Sequence, residues 1–187
     1  MGFHHVALAT PDIEATHRFY TEAMGFELVK AVIAPTPEGG WAKHVFYDTG
    51  GGGMIAFWDL HVDALLPVRG AISRDLGLPE WVNHLAFDAP DAAAFETGLA
   101  RWQQLGYDVF EINHEFCRSI YAVDPAGVLV EWCMDTRPLT AAERERANSV
   151  ILQPEPDAFD PDPVVEFHPG DPALRPDWAT RRQPSST

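Results

Sequence analysis

Two stretches of this chain read His-x-Ala-x-x-x-Pro-Asp. They are His5-Val6-Ala7-Leu8-Ala9-Thr10-Pro11-Asp12 and His84-Leu85-Ala86-Phe87-Asp88-Ala89-Pro90-Asp91, 79 residues apart. Each is followed by a helical stretch and then a turn, Met24-Gly25-Phe26 and Leu105-Gly106-Tyr107, 81 residues apart. The chain is therefore two copies of one unit, with a histidine at the same place in each. Pseudo-symmetric folding of the two copies brings their histidines together, and convergent imidazoles point to a metal site.

The pattern inside each copy sets the fold class. Residues 3–9 alternate as a strand. Pro11-Asp12 opens a helix in which Ile13, Thr16, Phe19, Tyr20 and Ala23 recur at helical spacing, and Gly25 ends it. Strands follow over 26–34, 41–49 and 54–60, the last turn being made by the glycines at 50–53. The second copy predicts a strand over 81–88, a helix over 90–105, and strands over 107–113, 117–123 and 128–134, with Asp124-Pro125-Ala126-Gly127 as the last hairpin turn. The expectation is an α+β fold of two tandem βαβββ modules. Residues 1–60 make the first module, 61–80 a connector, 81–134 the second module, and 135–187 a short helix with a Pro-rich acidic tail, all in one overall domain. Thr140-Ala141-Ala142-Glu143 has the form of a capping box. From Gln153 onward prolines recur among acids, a composition that forms no core of its own. The tail is expected to be an arm on the surface or on a partner subunit, dispensable for folding beyond Arg146, with 181–187 mobile.

Bulk properties narrow the partners. The net charge of −15 argues against nucleic acid and anionic membrane surfaces. Two cysteines among 187 residues are too few for a disulfide scaffold and fit a reducing compartment. With no basic leader or bilayer-length apolar run in view, the expectation is a cytoplasmic protein.

The last strands of the two copies also align, Met54-Ile55-Ala56-Phe57 against Leu129-Val130-Glu131-Trp132. Ala56 thus corresponds to Glu131, an acid inside an otherwise apolar strand that needs a partner if buried. His5, His84 and Glu131 form a 2-His-1-carboxylate set, which leaves metal positions open for substrate and water or dioxygen. His4 competes with His5, but only His5 is in phase with His84, and His4 is expected on the opposite face.

His5-Val6-Ala7-Leu8, Phe19-Tyr20 before Met24-Gly25-Phe26, Asn83-His84-Leu85-Ala86 and the Asp124-to-Glu131 segment resemble the vicinal oxygen chelate superfamily, which includes glyoxalases, bleomycin-resistance proteins and type I extradiol dioxygenases. The resemblance covers roughly residues 3–134. It implies that the paired βαβββ modules form a cupped mixed sheet around a divalent metal site. Four-ligand glyoxalases use an acid on the last strand of both halves, and Ala56 stands where the first would be. Ile112-Asn113-His114, then Ile120-Tyr121-Ala122-Val123-Asp124-Pro125-Ala126-Gly127 and Glu131, resemble the extradiol ring-cleavage signature. By that resemblance His114 and Tyr121 face the pocket as catalytic groups. Fe(II) is the expected metal, with Zn, Ni, Co or Mn as alternatives, and the substrate is a small aromatic or vicinal-oxygen compound. A homodimer is expected. A further first-half histidine usual in extradiol enzymes is replaced by Gly52-Gly53, with His44 and His61 nearby. The runner-up activity is a glyoxalase-like isomerase or lyase, and the third a binding protein without chemistry.

Overall fold

A computed structural model describes residues 2–156 and 158–180; the expectation for 181–187 lies outside the described residues. Both βαβββ modules are present. The first comprises β1 (His5–Thr10), α1 (Ile13–Arg18), β2 (Glu27–Pro35), β3 (Trp41–Asp48) and β4 (Met54–His61). The second comprises β5 (His84–Asp88), α2 (Ala92–Gln104), β6 (Val109–Asn113), β7 (Cys117–Val123) and β8 (Leu129–Asp135). Both helices begin at the repeated aspartate rather than at the proline before it. Asp12 accepts from the Ala15 amide and Asp91 from the Ala94 amide, so each caps an orphan donor of the first turn. The first helix widens into a π-helical segment over Phe19–Ala23. Its end is tied to the second module, because the Arg101 guanidinium donates to the Met24 carbonyl at 2.8 Å.

The strands form two sheets, ordered β1-β4-β3-β2 and β5-β8-β7-β6 with a further strand beyond β6. Register repeats along with sequence. His5 pairs with Met54 and Ala7 with Ala56; His84 pairs with Leu129 and Ala86 with Glu131. One face of each sheet packs on the helices in a single core that joins Tyr20, Tyr47 and Phe57 of the first module to Phe95, Trp102 and Val130 of the second. Strand alternation then fixes the other face: His5, His44 and Phe46 in the first sheet, His84, Glu131 and Tyr121 in the second. Both of these faces look away from the shared core.

The tail departs from expectation. The capping box of α3 (Ala141–Val150) forms as expected, with Thr140 and Glu143 bonding reciprocally. Beyond it, β9 (Val164–His168) pairs antiparallel with β6 and becomes the fifth strand of the second sheet. The chain then crosses the second module closely enough that a Cβ at Gly170 would run into the Gly106 carbonyl. Arg175 lies 3.9 Å over the Tyr107 ring and donates to the Gly106 carbonyl. In α4 (Asp177–Thr180), Trp178 is only 2% exposed and belongs to the core. The arm therefore lies on its own chain, and its end fills core volume. This corrects the expectation that the fold is indifferent to the tail. Two boundaries also move. The strand expected from residue 81 begins at His84, because Asn83 is held by the Ser73 hydroxyl at 2.6 Å. The helix expected over 90–105 is shorter at both ends.

Candidate functional site

His84 starts β5, and two hydrogen-bonding groups fix its ring. Its Nδ1 lies 3.1 Å from the Trp81 carbonyl, an acceptor, so Nδ1 carries a proton. Its Nε2 lies 3.1 Å from a Glu131 carboxylate oxygen. In a neutral imidazole of that tautomer, a nitrogen lone pair faces a carboxylate lone pair, which calls for a cation between them: a proton on Nε2 or a metal ion. Glu131 is 5% exposed, so the requirement is strong. The donor set fits a divalent metal of the imidazole-and-carboxylate class.

Tyr121 sits opposite Glu131 on β7, and its hydroxyl lies 3.2 Å from His114 Nε2. Burial pushes the phenol pKa up, with the charge of Glu131 adding to the effect, so Tyr121 is a neutral hydroxyl at physiological pH. His114 follows β6 in the turn before β7, where its backbone amide bonds the Cys117 carbonyl. The expected pair of groups beside the expected acid is therefore physically adjacent. Cys133 lies on the same face, and burial first among several causes pushes its thiol up to about 12, so it is no thiolate ligand at neutral pH.

His5 occupies the equivalent place on the first sheet. Its ring lies 5.4 Å from Phe46 and 6.2 Å from His44, centroid to centroid. His4 does not point to the opposite face. It precedes the strand, escapes strand alternation, and brings its Nδ1 to 2.8 Å from His5 Nδ1. Of the two histidines near Gly52-Gly53 in sequence, His44 shares the face of His5, whereas His61 stacks on Trp41 and pairs with Asp59 at the strand end. His44 stacks on Trp58 at 3.7 Å, and its buried Nε2 has no hydrogen-bond partner. Burial, and secondarily the charge of His5, lowers its pKa and favours a neutral ring. Ala56 holds the register position of Glu131, so the first sheet supplies no matching carboxylate there.

The single chain does not gather His5 with His84 and Glu131. Among the described residues, the trio of possible ligand atoms within 4.8 Å of one another is Glu111, Glu166 and His168. The sequence reading missed it, although Glu166-x-His168 on one strand was a visible signal. Glu111 is already engaged: Arg118 Nε lies 2.5 Å from one carboxylate oxygen and His168 Nε2 3.0 Å from the other. Burial alone would raise its pKa, but these hydrogen bonds outweigh burial and lower it. Arg118 also lies 4.5 Å over Phe95. This cluster is an ion-pair strut that fastens β9 to the sheet.

A cavity of about 630 Å³ adjoins the site, lined by Ala9, Arg69, Ile72, Leu76, Val82 and His84 among others. The connector closes one side of it. No helix among the described residues is long and apolar enough to cross a membrane.

The family model described as Glyoxalase/Bleomycin resistance protein/Dioxygenase superfamily matches residues 2–132. No curated protein matches the sequence significantly. Among solved structures, a putative dioxygenase from Bacillus subtilis subsp. subtilis str. 168 aligns at 20% identity and TM-score 0.56, over 72% of this chain and 40% of that one. A mutant of the fosfomycin resistance protein FosX from Listeria monocytogenes, complexed with Mn(II) and 1S,2S-dihydroxypropylphosphonic acid, aligns at 19% identity and TM-score 0.50, over 77% and 97%. Lactoylglutathione lyase from Agrobacterium tumefaciens aligns at 25% identity and TM-score 0.47, over 71% and 92%.

Proposed function

This chain belongs to the Glyoxalase/Bleomycin resistance protein/Dioxygenase superfamily, and from that membership we propose that it is a divalent-metal enzyme acting on a small substrate through two vicinal oxygens, with extradiol ring cleavage of a catechol as its reaction. The observation that carries the reading is the His84–Glu131 pair, which calls for a cation, beside a first module that has Ala56 at the matching position. That pattern yields two imidazoles and one carboxylate, with positions left for substrate.

The third ligand, His5, comes in this reading from a second copy of the chain. The faces bearing His5 and His84 both look away from the core, so two copies related by a two-fold axis can set each His5 face against the other's His84 face. Trp58 and Val32 on the first face are each at least 36% exposed, apolar surface that such packing would cover. The reading thus makes the homodimer the working unit.

When bound, ferrous iron supplies a chelating, redox-active centre for the two substrate oxygens and dioxygen. The rest falls to protein side chains. The Tyr121 hydroxyl orients a substrate oxygen by hydrogen bonding beside Glu131. His114, in contact with that hydroxyl, accepts the proton a catechol must lose. His84, its Nδ1 anchored on the Trp81 carbonyl, would present Nε2 to the metal.

The test is metal analysis of protein purified without oxygen, followed by oxygen uptake with a panel of catechols. Stoichiometric iron and a yellow ring-opened product are expected. No oxygen consumption, together with isomerisation of a hemithioacetal by the zinc, nickel or cobalt form, would overturn ring cleavage in favour of a glyoxalase-type reaction.

A further inference from the structure

The register of the second sheet places one row of residues across all five strands on the site face: Ala86, Glu131, Tyr121, Phe110 and Phe167, each the cross-strand partner of the next. From Ala86 the row passes the proposed metal ligand Glu131 and the proposed catalytic hydroxyl of Tyr121. It ends on two phenylalanines whose ring centroids are 4.9 Å apart. Both rings are about half exposed, Phe110 at 49% and Phe167 at 50%, although they lie on a continuous sheet surface. Phe167 is on β9, beyond the residues 2–132 that the family model matches, so this end of the row is an addition of this chain's tail. The opposite face of β9 is fastened by His168 on Glu111 at 3.0 Å, which holds the strand and its outward ring in a fixed place.

Resting on the functional reading above, we infer that Phe110 and Phe167 form an aromatic shelf that selects substrates carrying a second apolar ring beyond the chelated oxygens. Adjacent strands lie about 4.8 Å apart, so Phe167, three strands from Glu131, stands roughly 14 Å along the row from the carboxylate. A lone catechol held at the metal reaches Tyr121 and stops short of the shelf. A ring attached to it extends over Phe110 and meets Phe167, where aromatic faces and edges are open to receive it. The tail strand is then a specificity element, and the polar row end at Glu131 and the apolar end at Phe167 read opposite ends of one molecule.

The experiment is calorimetric titration of the oxygen-free, Mn(II)-loaded protein with two probes, catechol and a phenyl-substituted catechol. The wild type is expected to bind the phenylated diol at least about tenfold more tightly. Phe167→Ala and Phe110→Ala should each reduce that ratio to less than about threefold while leaving the Kd for catechol unchanged. Phe167→Leu, which keeps apolar volume without the ring, should give an intermediate ratio. A wild type without preference, or a preference that survives both alanine variants, overturns the shelf while the functional reading stands. Binding of neither diol overturns the functional reading, and the shelf with it. Loss of the dimer in Phe167→Ala, measured by sedimentation, with the ligand ratio intact, would make Phe167 a subunit contact and overturn the assignment.

Discussion

At the scale of single residues, the site depends on which nitrogen and which oxygen are held where. His84→Ala, Glu131→Ala and His5→Ala should each lose stoichiometric divalent metal, whereas His4→Ala should keep it; metal content by elemental analysis decides, and retention by His5→Ala would remove His5 from the ligand set. His114→Ala and Tyr121→Phe should retain metal and lower kcat by about a hundredfold or more, since neither is a proposed ligand. Asp124 gives a prediction about pH. It is buried in the last hairpin, bonded by the Val128 amide and the Tyr20 hydroxyl, and burial raises its pKa from 3.8 to about 6. The folded state therefore binds the proton more tightly than the unfolded state. This group's stabilisation is complete below about pH 3.8 and is lost as pH rises through about 6. In melts between pH 4 and 7, Asp124→Asn should gain on the wild type as pH rises, by on the order of 1–3 kcal/mol across the range. A difference that stays constant with pH would mean that Asp124 titrates normally.

At the scale of elements, the repeat made half the molecule legible. His5, His84, Ala56 and Glu131 could be placed because a strand period of two and a copied turn fix register without any long-range information, and the sheets keep that register. His114 and Tyr121 were legible as a motif, and their contact follows from the hairpin that joins β6 to β7. Strand β9 was not legible. Val164 to His168 is too short to show a period, sits among prolines, and pairs with a strand more than fifty residues earlier. Trp178 was hidden for the same reason, because nothing local says that a tryptophan in a polar tail enters a core built by other segments. Trp178→Ala should cost about 3–5 kcal/mol, read as a lowered Tm or denaturation midpoint. Truncation after Arg146 should cost at least as much, since it also removes β9 and leaves Glu111 without His168. An unchanged midpoint in either variant would return the tail to the status of a loose arm.

At the scale of the whole molecule, the sequence could not say which faces meet. Alternation shows that each sheet has two faces, but the choice between enclosing the histidines and turning them outward is made by the helices, which here occupy the common core. The outward choice gives a complementation test. In the proposed dimer, mixing His5→Ala chains with Glu131→Ala chains would create mixed dimers in which one site has every ligand intact and the other lacks two. Equal mixing after dissociation should restore about a quarter of the wild-type metal and activity, half of the dimers being mixed and half of their sites whole. A site confined to one chain would recover none.

The core that unites Tyr20, Phe95 and Trp178 lies within one polypeptide, while the proposed ligands are divided between two. The object that folds and the object that works are then of different sizes. On dilution the chain should keep its circular dichroism and its melting profile, whereas turnover per chain should fall away, total activity varying with the square of protein concentration below the dimer Kd. An enzyme built as proposed would be switched by its own abundance: scarce chains would be folded with little activity, and doubling a scarce supply would more than double the flux.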